Sequence, residues 1–508
     1  MLRDSHLPLK MVADINHCQL HRRDAFGHNG GEVFSPHAVP SFLPPRMASP
    51  SVILLALVAA STLTEPSPSI PAPVPFQPKV EDAMLTPVAP AQRQVTTWDE
   101  ALALVRERST NLRSAEAGVE RAAGRSRQAL AALLPNARLS SSVGVDLLNP
   151  DLPVGAGGTP LVGIGGGDTR GPSTPLLTAT ANVTQSLVDV SAWRGRASAV
   201  AAEEGAAATL GETRRLLTRG LAQVLVSTVA AERAAEINRV GLRQALERFA
   251  LAQRTYELGA GNQLDVVRVE QDVAVARSAL VAGDEQLRRS REALGLAVGF
   301  GNAVGVSRDF NLQGLVNETQ RACTPLKDMN ERTDLVASRA QLESARDSRQ
   351  QATAGYLPTL GLSSTAVGLT TDPGFGRVAI WSVSAVLSVP IWEGGLRGGL
   401  IREREGLERQ AAEALESTRR DVSIQVAQAR RAVEVAEALV TTAVASRDLA
   451  DRTDRLTRRS FEVGRGSSLE LVQSGAALRQ AELTLVLREF ELVQARLDAF
   501  LTEARCDW

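Results

Sequence analysis

The residue types that most often do chemistry are unevenly placed in this chain. All five histidines lie within the first 37 residues, and the rest of the chain has none. His17, Cys18 and His21 are close enough together to suggest a metal ligand set, but their spacing fits no standard zinc pattern. We therefore expect no metal site and no cofactor.

Sequence signatures of catalysis are also missing from the remainder. No Gly-rich phosphate loop follows a predicted strand and no G-x-S-x-G turn occurs. The glycine runs at 155–158 and 164–167 lie in a predicted loop, where they indicate flexibility. The formal net charge of −1 argues against a nucleic-acid partner, which needs a basic face. The sequence predicts a protein that is not an enzyme.

The N-terminal region has the character of an export leader. Residues 1–46 are expected to be a disordered leader, or to lie upstream of a true start at Met47. Residues 47–61 carry a short apolar run followed by small residues, as in a secretory signal peptide. Residues 62–94 are rich in proline and are predicted to be an extended or disordered linker that buries no core.

The main signal in the remaining sequence is an internal duplication. Residues 112–135 match residues 335–358 at a constant offset of 223, and both segments end in Leu-Pro. A second match, at an offset of 205, aligns residues 256–265 with residues 461–470. We predict two repeats, residues 95–299 and 332–508, joined by a linker at 300–331.

Each repeat should contain one β-hairpin. The Leu-Pro pair stops helical bonding, and the residues after it alternate between apolar and polar, which is typical of a strand with one apolar face. We predict hairpins over residues 138–188 and 359–391. The first would have a long loop at 148–175 and the second a short turn at 371–374.

Two very long helices should follow the hairpins. The predicted helices cover about 190–258 and about 395–463, each a rod of roughly 100 Å. Apolar and small residues recur along them at heptad spacing, from Leu217 to Tyr256 and from Val422 to Phe461. Heptad seams with small residues let helices pack side by side.

The predicted strands suggest how the chain could meet a membrane. No segment after the leader has enough consecutive apolar residues for a spanning helix, whereas alternating strands can span a bilayer as a closed barrel. One chain offers four strands, and about eight are needed to close even a filled barrel. The count favours a trimer and leaves a tetramer open.

These features together resemble the TolC-like outer-membrane efflux proteins. The resemblance rests on the doubled helix, Leu-Pro and strand signature, the strand exits at 186–189 and 390–395, and the paired Gly-x-Gly turns, over roughly residues 95–503. It implies a mainly α fold with a small β part. Three copies would form a twelve-stranded outer-membrane barrel in lipid, continued by a periplasmic α-helical tunnel.

The function implied by the resemblance is passive export of small molecules or proteins. The duct would belong to a tripartite efflux or type I secretion system. Its partners would be a periplasmic adaptor (membrane fusion) protein and an inner-membrane pump. The cargo stays open, as does an alternative that the residues alone allow, a periplasmic coiled-coil protein with no channel.

The resemblance also implies a gate at the helix-hairpin tips. In the family, carboxylates just after the second-repeat turn ring the closed tunnel mouth. The matching residue is Glu470, Asp265 is its first-repeat counterpart, and the family's further acidic position is Gln473 here. Three copies of each carboxylate would repel one another and select cations. The open alternative is that both only favour the positive end of the following helix.

The tips themselves should be tight helix reversals. Gly259, Gly261, Gly464 and Gly466 are expected to allow the φ > 0 conformations that such turns need. Together with Arg465, they are the residues implied to contact the adaptor.

A belt around the middle of the tunnel follows from the same resemblance. Residues 300–331 would lie there beside the C-terminus. This would bring Cys323 close to Cys506, the two cysteines that remain after the leader. Export places them in an oxidising compartment, so we expect a disulfide between them.

Overall fold

The fold is mainly helical with a small sheet. The computed structural model describes residues 78–145, 147–148, 173, 175–370 and 380–508. The predicted leader and signal peptide, most of the first hairpin loop and the turn at 371–374 lie outside these residues.

The first repeat runs from a short strand to a pair of long helices. Its elements are β1 (Arg93–Val95), α1 (Trp98–Arg108), α2 (Thr110–Ala131), β2 (Asn136–Gly144), β3 (Leu176–Val188), α3 (Val190–Glu257) and α4 (Gln263–Ala297). Side chains of Thr97, Ser109, Asp189 and Asn262 cap the four helix starts, as small polar residues do at N-caps.

The segment that joins the repeats contains β4 (Val304–Val306), α5 (Leu312–Ala322) and β5 (Cys323–Pro325). The second repeat then follows the order of the first from α2 onward, with α6 (Thr333–Ala354), β6 (Thr359–Leu369), β7 (Ile380–Ser388), α7 (Leu396–Glu462) and α8 (Ser468–Thr502), and β8 (Ala504–Cys506) comes last. Helices α2 and α6 are both 22 residues long, and α4 and α8 are both 35. The predicted mainly α fold with a duplicated helix, hairpin and long-helix unit is confirmed.

The two hairpins join in one antiparallel sheet of order β2-β3-β6-β7. Leu139 faces Ala181 and Val143 faces Leu177, while Ser140 faces Thr180 and Ser142 faces Thr178. Paired residues share a face, so the sheet has an apolar face and a hydroxyl-rich face. β2 ends at Gly144, short of the alternation that continues to Leu147, and β2 and β7 are left as the two edges.

The long helices pack laterally along the predicted heptad positions. In α3, Leu221, Leu242 and Ala245 are at most 1% exposed. In α7, buried positions are sparser and include Val422 and Ala443. Small residues at these positions bring the helices close together.

A belt of short elements crosses the middle of the helices. β1 pairs with β4, and β5 pairs with β8 beside the C-terminus. Trp98, Leu225 and Leu315 are fully buried in the main apolar cluster, and Trp508 packs against it. The indole N–H of Trp508 donates to Thr218 Oγ1 at 2.8 Å.

The segment before β1 departs from the expectation for the proline-rich linker. Residues 62–94 were predicted to bury no core, yet Met84 and Leu85 pack against the seam between α3 and α4, and Val88 packs against it nearer the belt. The segment is rich in proline, but Met84, Leu85 and Val88 all lie on the side of it that faces the helices.

Candidate functional site

The α3–α4 turn reverses the chain within a few residues. Gly259 has φ +75°, a backbone conformation that side chains disfavour. Gly261 has no positive φ, but a Cβ there would lie 3.0 Å from the Tyr256 backbone nitrogen. Asn262 then caps α4 by accepting a hydrogen bond from the Leu264 N–H at 3.2 Å.

The α7–α8 turn repeats this geometry. Gly464 has φ +73°, and a Cβ on Gly466 would lie 2.8 Å from the Phe461 backbone nitrogen. Of the four glycines expected to allow φ > 0 conformations, Gly259 and Gly464 adopt them and Gly261 and Gly466 do not. At these two positions glycine is required because the chain passes so close to the end of the preceding helix.

Glu470 takes part in a reciprocal cap at the start of α8. Its backbone N–H donates to Ser467 Oγ at 3.2 Å, and its carboxylate accepts from the Ser467 N–H at 3.4 Å. This capping box satisfies two N–H groups that the helix start leaves unpaired. The Glu470 side chain is thus engaged locally, as the alternative interpretation anticipated.

Asp265 joins the two tips of one chain. Its carboxylate accepts a hydrogen bond from the Ser468 hydroxyl, which is almost fully buried, and Arg268 lies 3.8 Å away. The structure therefore places Asp265 and the first turn of α8 side by side. Ser468 was not singled out from the sequence, because its partner is about 200 residues away.

Arg465 lies in the exposed part of the second turn. Its backbone N–H donates to the Ser460 carbonyl at 2.9 Å, so backbone hydrogen bonds hold the turn. At the C-terminal end of α3, Arg254 pairs with Glu257 at 3.7 Å, with both side chains about half exposed. Both tips present charge to the outside.

A buried ionic cluster lies above the tips and was missed from the sequence. Arg248 of α3 donates to Asp272 of α4 at 2.7 Å, with both side chains at most 5% exposed, and Arg479 of α8 lies 4.0 Å from the same carboxylate. A Cβ on Gly475 would lie 2.8 Å from the Arg248 guanidinium. The sequence signal was a glycine inside a helical pattern.

A second polar network lies in the belt. Arg215 forms two hydrogen bonds with the Glu212 carboxylate, and the Thr333 hydroxyl donates to it at 2.7 Å. Burial alone would raise the pKa of Glu212, but the hydrogen bonds and charge of Arg215 hold that pKa below its usual range. The network ties α3 to the start of α6.

The belt also holds the two cysteines. Cys323 and Cys506 face each other across the β5–β8 pair and form a disulfide with an S–S distance of 2.01 Å. Both are buried together with Leu501 and Ala504.

The hydroxyl-rich face of the sheet is internally bonded. Ser142 and Thr178 hydroxyls lie 2.7 Å apart, and the Asn182 amide donates to Thr365 at 3.2 Å. On the opposite face Leu139, Trp381 and Leu387 are each at least 65% exposed in the single chain. A face of exposed large apolar side chains needs a non-aqueous neighbour.

Two negative observations apply to the part of the chain that the structure describes. No helix there has an apolar stretch long enough to cross a bilayer. No group of three histidine, cysteine or acidic residues there is arranged to hold a metal ion.

A family model described as outer membrane efflux protein matches residues 101–300 and 328–498, which is most of the chain. Solved structures of outer-membrane proteins share the fold at low sequence identity. VceC from Vibrio cholerae is 16% identical with a TM-score of 0.66, covering 80% of this chain and 95% of its own. The CmeC outer membrane channel of Campylobacter jejuni is 13% identical with a TM-score of 0.64, covering 84% and 93%.

The open-state MtrE outer membrane channel of Neisseria gonorrhoeae is similar to the same extent. It is 15% identical with a TM-score of 0.62, and the match covers 84% of this chain and 97% of that one. The match spans nearly the whole length of these proteins.

Proposed function

The chain belongs to the outer membrane efflux protein family, and we propose that it is one subunit of a trimeric passive export duct. It is a channel protein of the cell outer membrane with a long periplasmic portion. The duct would serve a tripartite efflux or type I secretion system and carry small molecules or proteins.

The open sheet is the observation that carries this proposal. Within the residues that the structure describes, one chain supplies four strands to this sheet, with β2 and β7 at its edges. Three chains supply twelve, enough for a barrel with an open lumen. Joining β7 of one copy to β2 of the next would also satisfy the unpaired backbone groups of both edges.

The two sheet faces support the same arrangement. In a closed barrel the face with Leu139, Val143 and Val383 would meet lipid, and the face with Ser142, Thr180 and Asn182 would line the water-filled lumen. The reverse arrangement would put hydroxyls into hydrocarbon.

The tips are the proposed site of gating and docking. Asp265 and Glu470 would form rings of three carboxylates each at the periplasmic mouth, and such rings favour cations over anions. Gly259, Gly261, Gly464, Arg465 and Gly466 would form the surface that a periplasmic adaptor protein contacts, in line with an inner-membrane pump. Support comes from the proximity of Asp265 to the start of α8.

Membrane fractionation tests the channel proposal. The full chain, expressed in a Gram-negative host and extracted in mild detergent, should come from the outer-membrane fraction as a trimer. A soluble periplasmic monomer would end the proposal and favour a coiled-coil protein without a channel.

A further inference from the structure

Residues 78–92, here called the strap, run along the seam between α3 and α4. Met84 and Leu85 sit in a short 3-10 turn that Asp82 caps. They pack against a cluster made by both helices, which comprises Leu242, Ala245, Val273, Ala276 and Leu280.

Polar contacts hold the strap on either side of this apolar pair. The Asp82 carboxylate lies 2.9 Å from the Arg277 guanidinium of α4. Nearer the belt, Val88 packs against Ala231, Ala235 and Leu287, and Arg291 donates to the Ala89 carbonyl at 2.9 Å. The strap thus follows the groove for about 20 Å, the rise of α3 from Ala231 to Ala245.

The strap contacts the groove through a few side chains, as a bound peptide does, while its other residues face outward. Asp82, Met84, Leu85 and Val88 are half-buried, and the other residues between 81 and 90 are exposed. The 3-10 turn contains no fully buried residue. Pro87 and Pro90 lack the N–H that would let this stretch pair as a strand. Because no residue of the strap is fully buried, the strap can separate from α3 and α4 without opening the core between them.

We propose that the groove between α3 and α4 is a peptide-binding site that the strap fills in cis. A segment of a periplasmic partner with the same chemistry takes its place when the strap leaves. That chemistry is an acidic residue followed two and three positions later by apolar side chains. The groove ends about 20 Å from the α3–α4 tip, measured along the helices. A protein docked at the tips can therefore reach it. Only this choice of partner rests on the proposed function.

Competition between the strap and a free peptide makes the proposal measurable. A segment tethered by a short linker acts at an effective concentration in the millimolar range. The wild-type groove should therefore exclude an added peptide, and a chain whose strap is released should bind it.

The probe is a synthetic, fluorescein-labelled peptide with the sequence of residues 78–92, followed by fluorescence anisotropy on the purified full chain. Met84→Asp/Leu85→Asp in the chain should increase peptide affinity about tenfold or more over wild type. Ala83→Asp/Thr86→Asp, at exposed positions of the same turn, is the matched control and should behave as wild type.

A charge exchange gives a second, independent readout that disturbs the fold little. Arg277→Asp alters a side chain that is about half exposed. Added to the Met84→Asp/Leu85→Asp chain, whose strap is released, this change should make the groove bind a peptide carrying Asp82→Arg more tightly than the unaltered peptide. The Met84→Asp/Leu85→Asp chain that keeps Arg277 should show the opposite preference.

Two results would overturn the proposal: equal peptide binding by wild type and the released chain, or no effect of charge exchange. The strap would then be a permanent part of the packing against α3 and α4. Because the groove lies within one chain, this outcome is separate from the fractionation test, in which a soluble monomer would defeat the channel proposal and leave peptide binding intact.

Discussion

Gly464 and Gly466 stand two residues apart in the α7–α8 turn under different constraints. Gly464→Ala would place a side chain at φ +73°, and Gly466→Ala would push a Cβ to 2.8 Å from the Phe461 backbone. Each should cost about 1–3 kcal/mol and lower the thermal midpoint of the purified protein. Gly406→Ala, within α7 and with open space around it, should instead be neutral or stabilising. Equal effects at all three positions would contradict the turn geometry.

Glu212 makes the belt sensitive to acid. Because the pKa of Glu212 is lower in the folded chain, its carboxylate stabilises the fold fully above the usual glutamate pKa of 4.5. This stabilisation is lost as the pH falls through the lowered pKa of the folded state. At pH 7, Glu212→Gln should reduce the free energy of unfolding by roughly 1–3 kcal/mol and so lower the thermal midpoint. The difference in thermal midpoint between this variant and wild type should become smaller below pH 4.5. The exposed Glu403→Gln should show neither effect, and a gap that stays constant with pH would count against the assignment.

Glu470 has two candidate roles that one substitution separates. Glutamine can form the same capping box but carries no charge. If Glu470 and Asp265 line a gate, Glu470→Gln and Asp265→Asn should reduce cation selectivity in planar bilayers. If Glu470 only caps α8, Glu470→Gln should conduct as wild type while Glu470→Ala is less stable.

At the scale of elements, the sequence predicted what local patterns determine. Leu-Pro pairs, period-two alternation and heptad spacing located α2, the hairpins and the long helices within a few residues. Contacts between distant segments were not accessible, since Arg248–Asp272–Arg479 and Asp265–Ser468 depend on how four helices pack. The linker expectation failed at Met84 and Leu85 because composition reports proline content and not what lies beside the chain.

The disulfide between Cys323 and Cys506 is expected to stabilise the β5–β8 pair. It closes a separation of 183 residues, and loop-closure entropy then suggests about 5 kcal/mol of stabilisation. Thiol titration of the denatured, processed chain should find no free thiol without reductant and two after reduction. Cys323→Ser should leave one free thiol and a lower thermal midpoint. Two free thiols without reductant would show that the pair is not formed.

At the scale of the whole molecule, the described residues leave both edges of the sheet and part of the helical surface uncovered. Strands β2 and β7 are the two edges of the sheet and carry exposed apolar side chains. On α7, Ile424, Val435 and Leu456 are also each more than half exposed. The proposed trimer would cover both surfaces, and the strand count favours three copies.

Cross-linking between β2 and β7 of different copies tests this claim most directly. Ser142→Cys would be combined in turn with Ser382→Cys, Ser384→Cys and Ser388→Cys, all on the hydroxyl-rich face. We predict a covalent trimer on a non-reducing denaturing gel for the pair that matches the register. Ser141→Cys, on the opposite face, should not cross-link with the same partners. Only monomers for every pair, in protein recovered from the outer membrane, would contradict a barrel built from three chains.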